Sequence, residues 1–145
     1  MMRGYFAVLW VLWLGGAAPA AEMATPEASA GGLEHQLGAA DFRIYCATCH
    51  GIDAKGQGPV AEFMVLPPRD LTQLAKRAGG KFPADLIARV IDGRAEVQAH
   101  GPRDMPVWGD YFAAEKPSAS QTLKEADARA RILALVAYLG SIQAQ

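Results

Sequence analysis

Apolar positions recur along this chain at helical rather than strand spacing. The longest stripe comes last: Ile132, Leu135, Val136, Leu139 and Ile142 share one side of a helix over residues 124–142, opened by Thr122 as N-cap with Glu125 three residues on. Leu86, Ile87, Val90 and Ile91 predict a second helix, Ala84–Asp92, started by Pro83 and closed by Gly93. Asp70-Leu71-Thr72-Gln73 reads as an N-cap with a capping-box partner, opening a short helix to Arg77 that Gly79-Gly80 ends. A first helix is predicted from about residue 33 or 37 to 46, with Leu37, Asp41, Ile44 and Tyr45 at helical intervals. Gly38 sits inside it. Glycine there costs about 1 kcal/mol against alanine, so either it is merely tolerated or another backbone approaches closely, and Leu135 and Tyr138 of the last helix are placed to do so.

The segments between are punctuated by glycine and proline. Residues 51–59 read as loop, Val60, Phe63, Met64, Val65 and Leu66 as an apolar wall, and Pro67-Pro68 as extended chain. Residues 94–109 read as a loop that holds a methionine and a tryptophan, Met105 and Trp108, and residues 115–118 as an exposed connection.

The amino terminus changes the domain picture. A short basic start with Arg3, an apolar run over residues 5–14 and Ala18-Pro19-Ala20 have the pattern of a secretory signal, residues 1–20, cut after Ala20. The alternative is an uncleaved anchor, but spanning a bilayer takes about 20 apolar residues, and Gly15-Gly16 interrupts this run early. Residues 21–32 have too little apolar material to pack and are expected to be a flexible tail. That leaves residues 33–145 as one domain, with no further stretch able to span a membrane. The formal net charge is −1, and basic and acidic residues are nearly balanced between Asp53 and Asp104, which argues against a nucleic-acid partner.

Chemistry concentrates at Cys46-Ala47-Thr48-Cys49-His50. Two thiols three residues apart with an imidazole directly after the second form the attachment pattern for c-type haem. At the end of a helix, Cys46, Cys49 and His50 fall at i, i+3 and i+4 on one side, so that both sulfurs can bond one porphyrin edge while His50 reaches the iron. Three other readings compete. A dithiol redox pair is usually activated at a helix N-terminus, the opposite end from this one. Zinc would need His100 as a distant fourth ligand, without the usual second short pair of donors. A disulfide here would close too short a loop to stabilise much.

A proximal histidine normally donates its other ring N–H to a carbonyl, and Pro59 is the expected acceptor. A thioether can supply the sixth iron ligand. Met105, stiffened by Pro106, is far enough along the chain to reach the opposite face; Met64, 14 residues after His50, and His100 are the rivals. No paired carboxylates or nucleophile–base set are placed together, so no enzymatic site is expected.

Taken in order, Gly38, Phe42, Cys46-Ala47-Thr48-Cys49-His50, Gly58-Pro59, Met105-Pro106-x-Trp108-Gly109, Leu135 and Tyr138 make the chain resemble a small bacterial class I c-type cytochrome over residues 37–143. The resemblance implies an all-α cytochrome c fold, three to five helices around one covalently attached haem c, with the first and last helices crossing near-perpendicularly. By the same resemblance Cys46 and Cys49 carry the thioether links, His50 and Met105 are the axial ligands, Pro59 supports His50, and Arg69 and Trp108 contact the propionates. It further implies a monomeric periplasmic electron carrier with redox protein partners. A haem-c subunit docked on a dehydrogenase or oxidase, or a ligand-binding haem sensor with a labile sixth ligand, are the alternatives.

Overall fold

The computed structural model describes residues 26–94 and 105–144, with side chains from residue 31 onward. The described elements are helices and tight turns: α1 (Pro26–Asp41), a π-turn (Phe42–Cys46), α2 (Ala47–His50), α3 (Leu74–Arg77), α4 (Ala84–Asp92), α5 (Trp108–Ala114) and α6 (Gln121–Ser141). The signal segment over residues 1–20 and His100 lie outside the described residues. Among those described, no helix is long and apolar enough to cross a membrane.

The packing centre is the crossing of α1 with α6. Gly38 lies directly against the Ala134 carbonyl, so the helices approach backbone to backbone where a side chain would keep them apart. Phe42 and Leu135 are each 1 % exposed beside that contact, and the Phe42 and Tyr138 rings lie 5.2 Å apart. Ile132, Val136 and Leu139 complete the buried face of α6, as the stripe predicts, and Ile87 and Ile91 of α4 join the same core. The close approach, and not mere tolerance, accounts for the glycine.

Three boundaries differ from expectation. α1 begins at Pro26, inside the 21–32 segment expected to lack structure, because Pro is favourable in a first helical turn and the alanines that follow are strong helix formers. α6 begins one residue before Thr122, its N-cap being Ser120, whose Oγ accepts from the Leu123 amide at 3.4 Å. Ser120 is as good a cap as Thr122 and is preceded by a connection rather than a helix. α5 begins at Trp108, inside the 94–109 segment expected to be loop, and its two turns to Ala114, a stretch mostly left unassigned, bury Phe112 against α6. Elsewhere the signals hold. Asp70 caps a 3₁₀ turn (Leu71–Gln73) by accepting from the Thr72 amide at 2.8 Å, although Gln73 bonds Thr72 rather than reaching back to Asp70. α4 has the predicted bounds and ends on Gly93 at φ 71°.

The end of α6 is fastened to the middle of the chain by one side chain. Gln143 donates to the carbonyls of Leu71 and Leu139 and accepts from the Ala75 amide, all within 2.9 Å.

Candidate functional site: the turn around Cys46, Cys49 and His50

α1, the π-turn and α2 run on continuously, and α2 ends at His50 because Gly51 turns to φ 79°. A helix end leaves carbonyls without partners, and here the next ten residues supply them. The amides of Gly56, Gly58 and Val60 donate to the carbonyls of His50, Cys49 and Thr48 at 2.7, 3.0 and 3.1 Å. Gly58 can do this only as glycine, since a Cβ would collide with the Thr48 and Cys49 backbone. Ala54, fully buried in the same loop, holds φ 61°, a left-handed conformation rare for alanine. The loop is thus folded back tightly on the turn that carries the cysteines.

The two cysteines are not joined to each other and are half-buried, and His50 is half-buried beside them. His50 Nδ1 faces the Arg69 carbonyl at 3.4 Å, a long hydrogen bond. With the proton on Nδ1, Nε2 is left bare. Burial lowers the His50 pKa, against the opposing pull of that carbonyl, so the ring is neutral and able to bind a metal at neutral pH. The expected acceptor, Pro59, does not take this role. Its segment spends its hydrogen bonds on the α2 carbonyls, which leaves Pro59 exposed, lining a shallow depression with Ala47, Thr48 and Ile52.

Burial pushes the Cys46 thiol up to about 12, with Asp41 and Cys49 adding to the effect. A thiol held protonated is the opposite of an activated dithiol. Among the described residues no three His, Cys, Asp or Glu converge as a metal cage.

The other residues singled out in the sequence stand as follows. Ile52, Phe63 and Val65 stand exposed, Phe63 by 79 % and Val65 by 98 %, with Met64 half-buried between the last two. Met105 is half-buried and packs on the core. The chain around it is pinned: Gly93 lies against Val107, and Gly109 lies against the Asp92–Arg94 ion pair, whose Nε–Oδ1 distance is 2.7 Å. Trp108 is not isolated; its ring stacks on Phe112 and meets Tyr45 and Tyr111 edge to face. Arg69 presents its carbonyl to His50 while its residue as a whole is exposed.

The sequence pattern does not announce an ion-pair cluster built on Asp41 and Tyr45, just before Cys46. Arg131 of α6 forks onto Asp41, Nε–Oδ2 2.8 Å and Nη2–Oδ1 2.9 Å, and also pairs with Glu115. Its guanidinium lies over the Phe112 ring at 4.0 Å and the Tyr45 ring at 5.1 Å, and Tyr45 donates to Glu115 at 2.9 Å. The signal was present: Arg131 is four residues before Leu135 and seven before Tyr138, on the packed stripe of α6, where a lone cation is rare unless paired.

The residues fit a haem. The Nε2 of His50, left for a metal by the Nδ1 contact, and two cysteines in the same turn match a group bonded at one edge and ligated from one face. The fold and this turn together define an all-α c-type cytochrome domain. Residues 34–119 match the family described as cytochrome c oxidase, cbb3-type, subunit III, and the chain belongs to that family. Neither the curated proteins nor the solved structures yield a match. Membership implies haem c and a role in electron transfer with redox partners.

Proposed function

We propose that this chain is an exported, periplasmic one-electron carrier holding a single haem c through Cys46 and Cys49, with His50 and Met105 as axial ligands and no enzymatic activity of its own. The observation that carries the reading is the His50 ring: Nδ1 turned to a backbone carbonyl, Nε2 bare, two thiols within the same turn. When bound, the haem supplies an iron that changes oxidation state by one electron. The protein residues hold that centre still. Arg69 fixes the His50 ring, the folded-back 51–60 segment fixes the α2 carbonyls, and the Gly93–Val107 contact fixes the approach to Met105. Ligands held in both oxidation states mean little rearrangement per electron, which is what a carrier needs.

Arg69 and Trp108 are assigned to the pocket rim, and Pro59 to its outer wall. A monomer in solution is the expected state. The family match favours a second reading, a subunit docked on an oxidase.

The test is to purify the mature protein from native membranes and periplasm, strip it with acidic acetone, and measure haem per chain. One haem retained on a freely migrating monomer supports the carrier; co-elution with oxidase subunits supports the docked form. Colour leaving the polypeptide refutes both.

A further inference from the structure

The carbonyl that faces His50 Nδ1 belongs to Arg69, and at 3.4 Å the contact sits at the long end of the hydrogen-bond range. A small movement of that carbonyl therefore decides whether the bond is made. Its position is set by what flanks it. On one side, Gly56 lies against the Pro68 carbonyl and the Arg69 backbone, and the Ala54 carbonyl accepts from the Leu71 amide at 2.8 Å. Those contacts come from the loop that follows His50 itself. On the other side stands the end of α6. Gln143 donates through Nε2 to the Leu71 carbonyl at 2.9 Å and accepts through Oε1 from the Ala75 amide at 2.8 Å. The Ala144 amide donates to the Thr72 carbonyl at 2.8 Å.

The Gln143 amide is fully engaged: Nε2 donates twice, to Leu71 and to Leu139 of α6, and the oxygen accepts from Ala75. The side chain thereby bridges α6 to the turn that begins one residue after Arg69. Asp70 braces that turn by accepting from the Thr72 amide at 2.8 Å, but this bond lies within the turn and does not place it. We infer that Gln143 is a positioning residue for the iron ligand: it holds the 70–75 turn so that the Arg69 carbonyl stays within reach of the His50 Nδ1–H. The inference rests on the haem reading above. A hydrogen bond at the far ring nitrogen makes a ligating imidazole a stronger donor. A stronger donor favours the oxidised iron and so lowers the reduction potential. Loosening the turn therefore raises it.

The experiment compares the holoproteins of Gln143→Met, Gln143→Glu and Ile132→Ala with the wild type. Methionine keeps the length of the side chain and removes its three hydrogen bonds. Glutamate keeps an acceptor for Ala75 and removes the donor to Leu71. Ile132→Ala opens a cavity on the buried face of α6 and leaves the bridge intact, so it controls for lost stability. Two quantities are read: the reduction potential, and the exchange rate of the His50 Nδ1 proton, followed by proton NMR of the reduced protein. Both Gln143 variants are expected to keep the haem, exchange that proton faster and rise in potential. Ile132→Ala should lose stability with neither change. A wild-type potential and exchange rate in Gln143→Met overturns the inference, as does an equal change of both in Ile132→Ala. Should Gln143→Met yield no holoprotein, Gln143→Glu decides by the same outcomes. A wild-type chain without haem, or with a haem that His50 does not ligate, is a different failure, that of the functional reading itself.

Discussion

The Ala134 carbonyl occupies the space that a side chain on Gly38 would need. The obstacle is backbone, so no rotamer change relieves it. Overpacking typically costs about 1–3 kcal/mol, and this clash belongs at the upper end, against a gain of about 1 kcal/mol from helix propensity. Gly38→Ala is therefore expected to lower stability by roughly 2 kcal/mol, read as a fall in the urea midpoint at unchanged slope.

Gly32 supplies the opposite case on the same helix. Nothing lies within 4 Å of a Cβ built there, and the residue is exposed. Gly32→Ala should raise stability by about 0.5–1 kcal/mol through helix propensity alone. A midpoint that falls instead would mean that the first turns of α1 pack on something in solution.

Those two glycines also show what could be read from the sequence and what could not. Gly38 was interpretable because an apolar stripe with Leu135 and Tyr138 stood opposite it, two local patterns pointing at one contact. The cysteine turn was legible because its spacing is set by covalent chemistry, and α4 because Pro83 and Gly93 bracket it. The acceptor for His50 was not: the Arg69 carbonyl is a backbone group 19 residues away, and no side-chain pattern announces it. α5 was hidden by the Gly and Pro density just before it, which outweighed seven helix-compatible residues. Arg131 was read as part of a helix whose apolar side alone was counted, although its place on that side was the clue.

The Asp92–Arg94 pair has a pH signature. Hydrogen bonds from Arg94 hold the Asp92 carboxyl below its ordinary value, against the opposing effect of burial. Arg94 also reaches Glu125 of α6 at 2.6 Å, so the pair ties the end of α4 to α6 beside Gly109. A carboxyl depressed in the folded state contributes stability above its unfolded value, about pH 3.9, and loses it as pH falls through the lower folded value. Asp92→Asn should cost about 1 kcal/mol at pH 7. That difference from the wild type should shrink as the pH falls below about 3.9 and vanish once it lies below the depressed folded value, followed as urea midpoints across the acid range; a difference constant with pH would assign the loss to packing against Gly109 instead.

Met105 carries the last prediction, because the sixth ligand decides between a carrier and a ligand-binding protein. It lies one residue before Pro106, is half-buried against the core, and is followed by Val107 held on Gly93. Met64 is half-buried too, but its amide closes a 3₁₀ turn on the Ala61 carbonyl at 3.2 Å, within the segment that follows the cysteine turn directly. A thioether on the iron raises the reduction potential and keeps diatomic ligands out. Met105→Ala should therefore retain its haem, lose the weak near-infrared sulfur-to-iron band, fall in potential, and bind carbon monoxide at once when reduced at neutral pH. Met64→Ala should keep the band and the refusal of carbon monoxide. The reverse pair of results would move the ligand to the 60–66 wall, on the same short stretch of chain as His50, and the segment returning to Met105 would then serve as a cover rather than as a donor.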